Sequence, residues 1–347
     1  MKVKWGVLGA AGIADRRTIP GMLLADNAEL VAVMEVNMEL AEKIRGKYNA
    51  KKAYDTADKL IADPEIEAVY IASPVVFHKE QAIKAAGARK HLLIEKPIAL
   101  TSEEGLEVLK ICRKEGVLAA SGFMMRYHAY HQKMKSIVQS GKLGDLVSCR
   151  AQLTCWYPEL EGAWRQKKAL SGGGAMMDLG VHCIDLLQYI TGKQAKKVTG
   201  FSGNKTFHYE VEDSAAAVLE LEDNVYAYVD ANFNIPDAAA RCRMEIYGTR
   251  GSLMAEGTIG QVEGGRVETY FSEDPSGYNA QQDRNKESAG LITAELGNMY
   301  MKEIQSFGES VLTGKPLEVP AEAAIQVQKV VEALYASSAG GRTVILT

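Results

Sequence analysis

Between residues 1 and about 122, short apolar runs alternate with helix-length stretches: Val3 to Leu8, Leu30 to Met34, Ala68 to Ala72, His91 to Ile94 and Val117 to Ala120. Near-continuous apolar runs of this length mark strands buried on both faces, and the helices between them supply the crossovers that parallel pairing needs. This part therefore reads as a parallel sheet with helices on both faces. One helix is announced at both ends: Thr101 and Glu104 form a capping box, Leu106, Leu109 and Ile111 follow, and Gly116 closes it.

Beyond about residue 123 the pattern changes. Strands become alternating and are joined by tight turns, as between Ala217 to Leu221 and Val225 to Val229, and between Cys242 to Tyr247 and Ser252 to Ala255. Helical stretches at about 174 to 190, 295 to 312 and 321 to 338 are expected to accompany this mainly antiparallel sheet. The polar stretch from Ser272 to Ser288 reads as a long loop. The expectation is two domains, an α/β unit over 1–122 and an α+β unit over 123–347, since 347 residues exceed one comfortable core.

A net charge of -4 gives no global attraction to nucleic acid or to anionic lipid. No apolar stretch approaches bilayer length, and Met1 leads almost directly into a strand, so a cytoplasmic protein without a membrane partner is expected. The five cysteines, Cys112, Cys149, Cys155, Cys183 and Cys242, lack zinc-site spacing and read as reduced thiols; no metal is expected.

Three features carry chemistry. The first is the turn after the first strand, Gly9-Ala10-Ala11-Gly12-Ile13-Ala14, where backbone amides and a helix amino terminus can meet a pyrophosphate. It departs from Gly-x-Gly-x-x-Gly at Ala11 and Ala14, and alone it reads equally well as an ordinary strand-to-helix turn. Glu35 follows 26 residues after Gly9, at the end of the second strand, where a carboxylate accepts hydrogen bonds from two ribose hydroxyls and repels a 2′-phosphate. The next two residues bring no arginine, so NAD is favoured over NADP.

The second is His91 to Pro97, an apolar run that ends abruptly in Glu95, Lys96 and Pro97. Ligands of open parallel sheets bind at the carboxyl ends of strands, which would face the Lys96 ammonium towards a ligand. A lysine snorkelling into water beside Glu95 is the competing reading.

The third is Ser171-Gly172-Gly173-Gly174-Ala175-Met176-Met177-Asp178-Leu179-Gly180-Val181-His182, continuing to Asp185. On a helix Asp178 and His182 share a face, and a carboxylate beside an imidazole raises its basicity and fixes its orientation. A solvated structural pair, or two ligands of an incomplete metal site, would show the same spacing. His78, after Ser73-Pro74, reads as a helix-start histidine satisfied by backbone.

Taken together, these motifs resemble the Gfo/Idh/MocA family of glucose-fructose oxidoreductase, inositol dehydrogenase and related sugar dehydrogenases. The resemblance spans essentially the whole chain and rests on the Gly9 turn, Ser73-Pro74 with His78, Glu95-Lys96-Pro97, Gly122 with Arg126, Trp164-Arg165 and Asp178-x-x-x-His182. Val75 departs from it, standing where asparagine is common, and Arg89 stands where glycine is common. The resemblance implies an amino-terminal Rossmann domain and a carboxyl-terminal α+β domain with an open sheet that carries the substrate site and often the subunit contacts. It implies Lys96, Asp178 and His182 as catalytic residues, and Gly9, Ala11, Gly12, Ile13, Glu35, Ser73, Pro74, His78, Glu95, Lys96, Arg126, Trp164 and Arg165 around the cofactor. Tyr157 and His128 are candidate substrate contacts.

The expected activity is hydride transfer between NAD and a secondary alcohol or ketone of a sugar, polyol or sugar derivative. His182 exchanges the hydroxyl proton, helped by an ordinary histidine pKa near 6.5, and Lys96 stabilises developing alkoxide charge. Two rivals stay open: a redox-assisted elimination or epimerisation with retained NAD, and a non-catalytic NAD-binding sensor or regulator. A homodimer or homotetramer is expected.

Overall fold

The computed structural model describes residues 1–272, 280 and 290–346. The expected loop from Ser272 to Ser288 lies, apart from residues 272 and 280, outside the described residues. In chain order the strands are β1 (Val3–Leu8), β2 (Ala28–Met34), β3 (Lys52–Tyr54), β4 (Ala68–Ile71), β5 (His91–Ile94), β6 (Ala119–Ser121), β7 (Leu146–Thr154) and β8 (Ala195–Gly203). Then come β9 (Ser214–Leu221), β10 (Tyr226–Asn232), β11 (Arg243–Gly248), β12 (Gly251–Glu256), β13 (Arg266–Phe271), β14 (Gly290–Leu291) and β15 (Val344–Ile345). The helices begin with α1 (Ile19–Leu24), α2 (Met38–Tyr48), α3 (Ala57–Ile61), α4 (His78–Gly87) and α5 (Ser102–Glu115). They continue with α6 (Ala129–Gln139), α7 (Lys168–Ser171), α8 (Val181–Thr191), α9 (Met299–Thr313) and α10 (Ala321–Gly340).

Two compact units result. The first gathers Met1–Tyr127, Gly162–Gly172 and Asn298–Lys329; the second gathers His128–Glu161, Gly173–Gly297 and Val330–Thr347. In the first, six parallel strands run in the order β3-β2-β1-β4-β5-β6. The order reverses at β1, so the crevice between β1 and β4 opens at their carboxyl ends. The core strands are apolar on both faces because helices cover both: Val3, Trp5, Val7, Ala68, Val69, Tyr70, Leu92 and Ile94 are all closed to solvent. α5 starts as its sequence dictates, with Thr101 accepting from the Glu104 amide at 3.2 Å and the Glu104 carboxylate from the Leu100 amide at 3.1 Å, and Gly116 ends it in the left-handed region.

α9 belongs to this first unit, not to the antiparallel half that its position in the chain suggests. Ile304 and Phe307 join the core of Val3, Trp5 and Leu30, with the Phe307 ring 5.2 Å from that of Trp5. An amphipathic period shows that a helix has an apolar face but not which sheet covers it.

The second unit is a nine-stranded sheet in the order β14-β13-β12-β11-β7-β10-β9-β8-β15, antiparallel throughout except for the β10–β7 pair. Alternation along β10 decides its faces: Ala227, Val229 and Ala231 are buried while Tyr226 and Tyr228 are exposed. α8 is buried along most of its length, and its packing on this sheet fixes the stretch that carries His182.

Candidate active site

The first unit brings a set of expected cofactor residues to one edge of its sheet. Leu8 pairs with Met34 and with Ile71, Ile71 with Ile94, and Ile94 with Ser121, so β1, β2, β4, β5 and β6 end level with one another. The turn at Gly9, then Glu35, Ser73, Glu95 and Lys96, and Gly122 all leave from that edge.

The turn after β1 is stitched to its neighbours. The Gly9 and Ala10 amides donate to Met34 O at 3.1 and 3.0 Å, and the Ala11 amide donates to Glu35 Oε1 at 2.6 Å. Gly9 takes φ +69°, and a Cβ there would lie 2.6 Å from Ser73 N, so no side chain fits. Gly12, at φ +62°, faces open space with nothing within 4 Å of a Cβ. Ile13 opens the helical stretch that runs through a π turn over Ala14–Thr18 into α1. After Glu35, Val36 is 83 % exposed, and Asn37 is committed to capping α2 through a 3.1 Å bond from the Leu40 amide.

Ser73 donates to Gln81 Oε1 at 2.6 Å, and Pro74 turns the chain into the helical turn before α4. His78 lies beneath this turn, 1 % exposed, with Nε2 2.9 Å from Ser73 O and Nδ1 3.0 Å from Pro97 O. Burial pushes its pKa down to about 4, so the ring is neutral near pH 7 and one N–H donates. In this structure both ring nitrogens face main chain, and the ring ties the Ser73 turn to the Lys96–Pro97 turn, whose peptide bond is cis.

Glu95 points into the sheet edge. It accepts from the Tyr70 hydroxyl and, at 3.2 Å, from the Lys96 amide, and Tyr70 also bonds Thr18 at 2.9 Å. A Cβ at Gly122 would lie 3.2 Å from the Glu95 carboxyl, so glycine is what leaves it room. Burial raises the Glu95 pKa, opposed by the Tyr70 hydrogen bond and the charge of Lys96. The composition that prompts the Glu95-Lys96-Pro97 reading does not single out Tyr70, yet a tyrosine inside the apolar run of β4 is a signal, because a buried hydroxyl needs a partner. Arg126 is buried and donates through Nη1 to Glu318 O at 2.9 Å, while Arg165 stacks 4.4 Å above the Trp164 ring.

The second unit holds Asp178, His182, His128 and Tyr157. Asp178 lies in a π turn over Met176–Gly180 that leads directly into α8, where His182 is 5 % and Asp185 1 % exposed. The Met176 side chain lies over Gly180, with Sδ 2.0 Å from where a Cβ at 180 would stand. π turns inside helices are rare and occur frequently at functional sites. His128 caps α6, accepting from the Tyr130 amide at 3.2 Å, with Nε2 3.1 Å from Gly264 O. The Tyr157 ring packs 5.1 Å from that of Phe233. Among the described residues, no group of three His, Cys, Asp or Glu stands where it would hold a metal ion, and no helix is long and apolar enough to cross a membrane.

Two family models cover most of the chain. The oxidoreductase family with NAD-binding Rossmann fold, Gfo/Idh/MocA, matches residues 3–123, and the Gfo/Idh/MocA C-terminal domain matches residues 131–254. The chain belongs to the Gfo/Idh/MocA oxidoreductase family. Relatives include the 1,5-anhydro-D-fructose reductase of Ensifer adhaerens, 26% identical over 309 residues, covering 89% of this chain and 88% of that one. D-glucoside 3-dehydrogenase of Escherichia coli is 28% identical over 360 residues, covering 98% and 96%. Levoglucosan dehydrogenase, solved with NADH and levoglucosan, shares the fold with a TM-score of 0.88 at 21% identity, over 99% of both chains. This Gfo/Idh/MocA chain is thus an oxidoreductase acting on CH–OH groups with a dinucleotide-binding Rossmann unit. The first sheet fits such a cofactor: an open Gly12, level strand ends at a switch point and a carboxylate at Glu35 form the donor and acceptor set that pyrophosphate and ribose require.

Proposed function

We propose that the chain oxidises a secondary alcohol of a sugar, polyol or sugar derivative, or reduces the matching ketone, with NAD as the preferred cofactor. The observation that carries the proposal is the level edge of the first sheet, where the Gly9–Gly12 turn, Glu35 and Lys96 emerge from neighbouring strands. A bound nicotinamide would supply the two-electron hydride acceptor, so that the substrate loses its carbinol hydride and its hydroxyl proton and gains C=O.

The residues of this chain handle the rest. An imidazole nitrogen of His182 takes the hydroxyl proton, and returns it in the reverse reaction. Asp178, a turn earlier on the same helical stretch, orients the imidazole or binds a neighbouring hydroxyl. The Lys96 ammonium donates to the reacting oxygen and stabilises its developing charge. Glu95 accepts the Lys96 amide from below and is itself clamped by Tyr70, which holds the lysine's main chain still. Glu35 accepts ribose hydroxyls and disfavours a 2′-phosphate. The sugar class follows from the relatives, whose names describe reductases and dehydrogenases of sugars.

The test is Lys96→Ala. It is expected to lower kcat by about a hundredfold or more while leaving the NADH dissociation constant within about twofold. Unchanged turnover would remove the lysine from the mechanism.

A further inference from the structure

Three consecutive main-chain amides at the start of the His182 helix end on one residue outside it. Gly174 N donates to Glu212 Oε2 at 2.8 Å, Ala175 N to the Glu212 carbonyl at 3.0 Å, and Met176 N to Glu212 Oε1 at 3.0 Å. The Tyr335 hydroxyl donates to Glu212 Oε1 at 2.7 Å. The glycines here are shaped to this anchor: a Cβ at Gly173 would lie 2.1 Å from the Tyr335 hydroxyl, and one at Gly174 1.9 Å from the Glu212 carbonyl.

The anchor is itself rigid. The next residue, Asp213, is fully buried and accepts from the Lys205, Thr206 and Phe207 amides at 2.7 to 2.8 Å, while its carbonyl accepts from Phe233 N at 2.8 Å. Ser214 then begins β9. Glu212 thus fastens the start of the helix to the sheet on which that helix packs. A carboxylate at that end also complements the positive pole of the helix.

We infer that Glu212, locked by Tyr335, is a positioning residue for Asp178 and His182, fixing the point from which their helix is counted. The inference rests on the proposed role of His182. The physical reason lies in the π turn over Met176–Gly180, which begins at the third of the anchored amides. Each residue of an α-helix advances about 100° around the axis, so relaxation of a π turn to α geometry swings every later side chain about the axis. Holding both ends of the turn, at Glu212 and on the sheet, keeps that phase. A misplacement of about 1 Å costs catalysis about a hundredfold.

Burial holds the Glu212 pKa above the usual carboxylate range, and the hydrogen bonds from Tyr335, Met176 and Gly174 oppose that rise. Tyr335 stays protonated through its own burial and the neighbouring carboxylate.

The experiment compares wild type with Glu212→Ala, Glu212→Gln and Tyr335→Phe. It measures kcat against pH, the NADH dissociation constant by fluorescence, and the titration of isotope-labelled His182 by NMR. The protein has six histidines, so the other five serve as internal controls. Glu212→Ala is expected to lower kcat by about tenfold to a hundredfold, leave NADH affinity unchanged and move the His182 midpoint alone. Glu212→Gln and Tyr335→Phe should move it less and in the same direction, and they carry the test if the alanine variant does not fold. Folded variants with an unmoved His182 midpoint overturn the inference, whether kcat is unchanged or falls only with thermal stability. A wild type that transfers no hydride would overturn the role of His182 instead, while the His182 titration still decides whether Glu212 positions it.

Discussion

The Glu35 carboxylate accepts the Ala11 amide at 2.6 Å, joining the end of β2 to the turn after β1. One oxygen is spent on the turn, and in Rossmann folds a carboxylate at the end of the second strand is the group that meets the adenosine ribose. Replacing Glu35 by serine keeps an acceptor for one hydroxyl and removes the negative charge. The ratio of kcat/KM for NAD over NADP should fall by about tenfold or more, equivalent to about 1.4 kcal/mol. An unchanged ratio would place the cofactor choice elsewhere.

Gly9 and Gly12 share a positive φ but not surroundings. Gly9→Ala drives a Cβ into the Ser73 main chain and should prevent soluble expression of folded protein. Gly12→Ala meets open space, so its cost is the left-handed backbone strain of about 1–2 kcal/mol. It should fold, with a measurably lower melting temperature, and bind NADH more weakly because the methyl fills the approach to the pyrophosphate. Equal behaviour of the two variants would contradict this reading of the turn.

Much of the first unit was legible in the sequence because parallel strands and their crossovers leave runs and caps that need no tertiary information. The Thr101–Glu104 box and Gly116 bound α5 as the residues alone require. Three things were not legible. The allegiance of α9 to the first sheet depends on Trp5 meeting Phe307, a contact between positions about three hundred residues apart. The packing of Tyr70, Gly122 and Glu95 depends on strand register, which periodicity does not give. For Asp178 and His182 the spacing was visible, and the π turn that holds Asp178 was not, since five residues of π geometry leave no side-chain period of their own.

His78 makes stability depend on acid. Its pKa is about 4 in the fold against 6.5 ordinarily, so the unfolded chain binds the extra proton first. The stabilisation is present above pH 6.5 and is lost as pH falls towards 4. It amounts to roughly 3 kcal/mol at about 1.4 kcal/mol per unit. Urea unfolding at pH 7 and pH 5 should show a loss in wild type that shrinks in His78→Gln; an equal loss in both would contradict the assignment.

Glu303 works in the other direction. It is 1 % exposed, neither carboxyl oxygen has a hydrogen-bond partner among the described residues, and burial, then the charge of Glu95, pushes its pKa well above the usual range. A raised folded pKa means that its contribution is complete below about pH 4.5 and is lost as pH climbs from there towards the folded value. Glu303→Gln should therefore melt higher than wild type at pH 8 and match it near pH 4. A variant less stable at pH 8 would mean that the carboxylate has a partner in solution.

Hydride transfer from a sugar or polyol carbon, with His182 as the base, leaves an isotopic trace in the cofactor. The most direct measurement incubates the protein with NAD and a panel of aldoses, inositols, sugar phosphates and amino sugars deuterated at their carbinol carbons, and reads deuterium in the nicotinamide ring by mass spectrometry. Transfer from at least one class, accompanied by NADH absorbance and abolished in His182→Asn, is the predicted result. Folded, NADH-binding protein that transfers no deuterium from any of them would rule out hydride transfer from these carbons.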